Sequence, residues 1–158
     1  MIRLEKDPEQ IEALRRRMEK TAEEDPRMGD LYDMLLGIAG FAATADLDPD
    51  VEKILERGRL FGTKNLKSVR GRASACHENA ARLWMCNREK YSIVTGWAMS
   101  DDGIWRQHSW LIDRSGRIIE TTEPRIAYYG VDLDPVEAVM FALAEVRGGE
   151  SVPSQKGS

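Results

Sequence analysis

A thiol, an imidazole and a carboxylate follow one another along this chain as Cys76, His108 and Glu120. Only two cysteines and two histidines occur in 158 residues, so thiol–imidazole chemistry draws on very few side chains. A thiol becomes a nucleophile when a base takes its proton, and the base works best when a third group orients it. Cys76 opens a stretch that reads as a helix running to about Asn87, with Ser74 at the N-cap. Unsatisfied backbone N–H groups and the dipole at a helix start favour a thiolate over a thiol. Those same groups, on Cys76 and His77, would donate to an oxyanion. Residues 57–75 hold six basic side chains and no acid, an electropositive run directly before Cys76 that pushes the same way. His108 comes 108 − 76 = 32 residues after Cys76, and Glu120 another 120 − 108 = 12 after that.

The elements that must position these groups follow from periodicity. Three runs rich in β-branched and aromatic residues, 91–99, 104–112 and 117–121, are joined by turn-forming segments and read as antiparallel strands. His108 lies mid-strand on the face of Ile104, Arg106, Trp110 and Ile112, and a neighbouring strand would set Glu120 beside it on that face. Such a pair fixes the histidine tautomer and stabilises an imidazolium. Asp7-Pro8 starts a helix whose Ile11, Leu14 and Met18 share a face. A second helix is expected over 30–44, on the stripe Leu31, Met34, Leu35, Ile38 and Phe41. Val51, Ile54 and Leu55 mark a short third one, and residues 57–75, broken by glycines, read as a loop. Asp134-Pro135 starts a last helix to about residue 147, expected to bury Val136, Val139, Met140 and Leu143. The expectation is an α+β fold in one domain, 1–147: helical over 1–60, helix and sheet over 74–122, helical again over 134–147, with a disordered tail over 148–158.

Ser74-Ala75-Cys76-His77-Glu78-Asn79-Ala80, Thr95-Gly96-Trp97, Gln107-His108-Ser109-Trp110-Leu111-Ile112-Asp113 and Gly116-Arg117-Ile118-Ile119-Glu120-Thr121-Thr122 together resemble the transglutaminase-like branch of the papain-like cysteine enzymes. The resemblance covers residues 74–122. It implies a papain-like core in which the nucleophile helix packs on a small antiparallel sheet, with Cys76 as nucleophile, His108 as base and Glu120 as the acid. It also implies acyl transfer or hydrolysis of an amide or ester through a thioester. The family commonly has Asp where this chain has Glu120. Residues 1–60 and 125–158 carry no resemblance.

Each assignment stands beside a structural alternative. Cys76 can be a buried small hydrophobe, His108 a satisfied core histidine, and Glu120 a salt-bridge partner of Arg117 or Arg125. His77, about 100° round the helix from Cys76, reads as structural or as a rim residue, and is carried as an oxyanion- or substrate-site candidate. Asn79, one turn on, caps or lines the site or is a solvated polar residue, and Asn65 is an oxyanion-donor candidate in the upstream loop. Trp110 can shield the His108–Glu120 pair from water. Cys86 reads as a packing residue. Were the thiol idle, the protein would be a binding, inhibitory or effector module instead of an enzyme.

The remaining counts exclude whole classes of function. Net charge is 23 − 27 = −4, and residues 1–56 alone hold 15 acidic against 8 basic side chains, so nucleic acid is not an expected partner. Two cysteines make no disulfide framework, and no apolar stretch or leader pattern points to a membrane or to secretion, so a cytoplasmic protein is expected. Cys76, His77, Cys86 and His108 lack zinc-site spacing, and no phosphate or dinucleotide loop is present, so neither metal nor cofactor is expected. The expected substrate is a protein, a peptide or a small amide.

Overall fold

Aspartate–proline pairs start three of the helices. In α1 (Pro8–Glu24) the Asp7 carboxylate accepts from the Gln10 N–H at 3.3 Å, and Ile11, Leu14 and Met18 are buried as their spacing requires. α2 (Pro26–Ile38) opens on a further such pair, Asp25-Pro26, and so begins and ends earlier than the expected 30–44. Gly40, at φ 88°, breaks helical geometry before Phe41 can extend the stripe, and Ala42–Ala43 form a short strand, β1. α3 spans Val51–Arg57. The expected loop 57–75 contains two more strands, β2 (Arg59–Phe61) and β3 (Lys67–Ser68), too short to register as a period in the sequence. The structure, a computed structural model, describes residues 4–156, with side chains to residue 146.

α4 (Cys76–Cys86) is followed by β4 (Tyr91–Met99), β5 (Ile104–Asp113) and β6 (Ile118–Glu120), as the sequence indicates. β7 (Ala127–Asp132) is an addition to that reading, and α5 (Pro135–Lys156) is the last helix. The result is an α+β fold of five helices and a seven-stranded, mostly antiparallel sheet, larger than the three strands read from sequence. The sheet runs β2-β7-β4-β5-β6-β3, with β1 beside β5, and helix α4 packs on it. The parallel pairs are β1–β5 and β3–β6. α5 carries on through Gly148-Gly149. The expectation of a disordered tail over 148–158 falls where side chains, and at 157–158 the backbone, lie outside the described residues.

Contacts group the chain into two compact units built from interleaved segments. One comprises Met1–Phe61, Gly96–Gln107 and Arg125–Val131. Its core holds Met28, Leu31, Leu35, Ile54, Trp97 and Trp105, and the Trp97 indole donates to Asp48 at 2.7 Å. Gly96 is required there, because a Cβ would collide with the Tyr129 carbonyl oxygen. The other unit comprises Gly62–Thr95, His108–Pro124 and Asp132–Ser158 and contains α4, α5, β3 and β6. In it α4 and α5 pack together, and the buried face of α5 is Ala138 and Ala142. The expected core residues Val136, Val139, Met140 and Leu143 are instead exposed, at 73%, 37%, 64% and 53%. Alanines at helical spacing let two helices approach closely, and periodicity alone does not separate that stripe from the larger apolar one beside it.

Candidate active site

Cys76, His108 and Glu120 all belong to the second unit and meet there. Cys76 is the first residue of α4 and half-buried; its thiol hydrogen-bonds to His108 on β5 and to His77 beside it on the helix. His108 is buried, and its Nε2 lies 2.8 Å from Glu120 Oε1. A carboxylate only accepts, so Nε2 carries a proton and Nδ1 is the ring nitrogen left for the thiol. Glu120 is fully buried, and its Oε2 accepts from both the backbone N–H and the hydroxyl of Thr122, each at 3.0 Å. Arg117, one of the alternative partners of Glu120, pairs instead with Asp113 at 2.9 Å.

The pairing register explains why glutamate fits. β5 and β6 pair antiparallel with Leu111 opposite Ile119 and Ile112 opposite Ile118. Continued one step, that register puts Glu120 opposite Trp110 and therefore diagonal to His108. Diagonal neighbours on one face are about 7–8 Å apart, a span for a long side chain. The Trp110 ring, itself fully buried, stacks on His108 with centroids 6.0 Å apart and an interplanar angle of 25°. It covers the imidazole that must stay dry for its bond to Glu120 to be strong.

His77 departs from the rim position that its helical angle suggests. It is half-buried, its Nδ1 lies 2.6 Å from Ser109 Oγ, and Ser109 Oγ lies 3.0 Å from Thr95 Oγ1. Sequence reasoning passed over Ser109, Thr95 and Thr122; the available signal was hydroxyl residues inside or just after apolar strand runs. Asn79 is spent on the segment before α4. Its amide clamps the backbone of Arg72, accepting from the N–H at 3.0 Å and donating to the carbonyl at 2.8 Å. Gly71 must be glycine for this clamp, because a Cβ there would sit 2.5 Å from the Asn79 side chain. Ser74 is not the N-cap; it takes φ 59°, and Ala75 occupies the cap with no side-chain bond. Asn65 lines a separate open cleft of about 680 Å³ with Gly62, Lys64 and the turn Ser115–Arg117. Cys86 is exposed at the far end of α4 and does not pack.

Opposing influences act on the thiol. Burial pushes it up, but hydrogen bonds from His108 and then His77, together with their charges, outweigh this and bring it down to about 5. For His108, burial favours the neutral ring, while bonds to Cys76 and Glu120 raise its pKa above the ordinary value. Two of the upstream arginines are engaged with acids, Arg70 with Glu123 at 2.9 Å and Arg72 with Glu78 at 3.7 Å. Among the described residues no cluster of His, Cys, Asp and Glu is arranged to hold a metal. No family model, no curated protein and no solved structure matches the chain.

Proposed function

We propose that this protein is a cysteine-dependent hydrolase or acyltransferase that cleaves an amide or ester bond through a thioester, on a transglutaminase-like core of the papain-like kind. The observation that carries the reading is the continuous chain from Cys76 at the start of α4, through buried His108, to buried Glu120. In this reading the Cys76 thiolate adds to the carbonyl carbon, and the carbon–nitrogen or carbon–oxygen bond breaks. His108 gives its Nδ1 proton to the leaving group. Water or an amine then attacks the thioester, returns a proton to His108 and restores the thiolate. Glu120 keeps Nε2 protonated and the ring in register throughout. The substrate class is a protein, a peptide or a small amide.

The test is the pH dependence of Cys76 alkylation by iodoacetamide, with peptide mass spectrometry separating it from exposed Cys86. Half-maximal reactivity is expected near pH 5 in the native chain, moving well upward in His108→Ala. Native reactivity that appears only near the free-thiol value of about 8.5 would overturn the reading.

A further inference from the structure

The triad leaves the second imidazole unused, yet that ring is built into the site. His77 Nδ1 is held by Ser109 Oγ at 2.6 Å, and Ser109 is in turn bonded to Thr95 at 3.0 Å. Both hydroxyl residues are buried, Ser109 completely. With Nδ1 so occupied, Nε2 is the ring nitrogen left for the hydrogen bond to Cys76. We infer that His77 is the side-chain oxyanion donor of this site, its Nε2–H aimed at the reacting atoms by the Ser109–Thr95 hydroxyl pair. The inference rests on the reading of Cys76 as the nucleophile.

The hydroxyl pair makes the donor independent of protonation. In a neutral ring, Ser109 donates to Nδ1, Thr95 donates to the Ser109 oxygen, and the single ring proton stays on Nε2. In a charged ring both nitrogens carry protons and Ser109 accepts. Nε2 donates either way. The charged and titratable groups facing the ring are Cys76 on α4, His108 on β5 and Glu145 on α5, and the Phe141 ring packs against it at 6.3 Å between centroids. When sulfur bonds to a carbonyl carbon, the π electrons move to the oxygen and the negative charge leaves sulfur for an atom two bonds away. A donor already on the sulfur follows that charge with a small turn. His108 cannot take this role as well, because its Nδ1 proton goes to the leaving group. His77 thus binds the charge wherever it sits, and binds it best where it develops.

Two reagents separate this role from simple support of the thiolate. Iodoacetamide is attacked at a saturated carbon: the sulfur–carbon bond forms, iodide leaves, and no oxyanion arises. With 4-nitrophenyl acetate the sulfur adds to a carbonyl, an oxyanion forms, and its collapse expels 4-nitrophenolate and leaves an acetyl thioester. Both consume the thiolate, so the ratio of the two rate constants cancels any change in its population. In His77→Leu the acetylation-to-alkylation ratio is expected to fall about 100-fold, the usual loss for one oxyanion donor. His77→Gln, which keeps an amide N–H, should recover part of that loss, and Ser109→Ala, which frees the tautomer, should lose part. A ratio unchanged in His77→Gln and Ser109→Ala as well as His77→Leu would overturn the inference and leave His77 a thiolate support. A native chain whose Cys76 alkylates only near pH 8.5 would overturn the nucleophile reading beneath it, a result distinguishable because it needs no variant.

Discussion

A carboxylate sealed from water is tolerable only if its lone pairs are filled, and Glu120 meets that condition with His108 on one oxygen and Thr122 twice on the other. Thr122 therefore acts on the chemistry through Glu120, as a positioning residue. Thr122→Val keeps the backbone N–H and removes only the hydroxyl bond. Its expected cost in urea unfolding is about 1–3 kcal/mol, the penalty for leaving a buried charged acceptor short of a donor. The same variant should raise the pH of half-maximal Cys76 alkylation, because a less firmly charged Glu120 supports the His108 imidazolium less well. A loss of stability with an unmoved alkylation profile would show that Thr122 serves the fold alone. Asn79 makes a parallel case: Asn79→Ala removes both bonds to the Arg72 backbone and should loosen the segment that feeds Cys76, read as faster amide exchange over residues 70–75.

The elements decide which residues those interactions can use. Glu120 lies diagonal to His108 across β5 and β6, so the extra methylene of glutamate is what carries the carboxylate to Nε2. Glu120→Asp should withdraw the carboxylate by about one bond and slow acetylation of Cys76 roughly 100-fold, the usual result of a 1 Å misplacement. Unchanged acetylation would mean that the strands slide to compensate. Cys76 and His108 were legible because a helix start and a ten-residue strand hold them, and Glu120 because its three-residue strand follows β5 across a short turn. Legibility failed where pairing, and not pattern, defines an element. β2 and β3 have three and two residues, and nothing local distinguishes them from loop. α5 failed differently, since Ala138–Ala142 and Val136–Met140 have the same spacing and only the partner helix selects between them. The orientation of His77 was not legible for a third reason. A helical angle places a Cα, whereas the buried hydroxyl of Ser109 decides where the imidazole goes.

At the scale of the whole molecule, the charges of the site should be visible in stability as a function of pH. The Cys76 thiol releases its proton at about 5 in the folded chain and near 8.5 when unfolded. Its contribution is therefore complete above about 8.5 and is lost as pH falls through 5. His108 and His77 are raised, so their contributions are complete below about 6.5 and are lost as pH rises through their folded values. Between pH 5 and 6.5 the unfolded histidines keep at least half of their protons, and only the unfolded chain keeps the thiol proton. The unfolded state then binds more protons, and stability must rise with pH across that interval. Above it the two histidines, uncharged when unfolded and still charged when folded, outnumber the single thiol, so the rise ends and stability falls until their folded values are passed. Cys76→Ala removes the group responsible, so its urea midpoint should climb less than the native midpoint between pH 5 and 6.5. The two curves should converge below pH 5, where the native thiol is protonated too. Parallel curves over the whole range would mean that the thiol carries no charge at neutral pH, and the electrostatic basis of the site would fall with it.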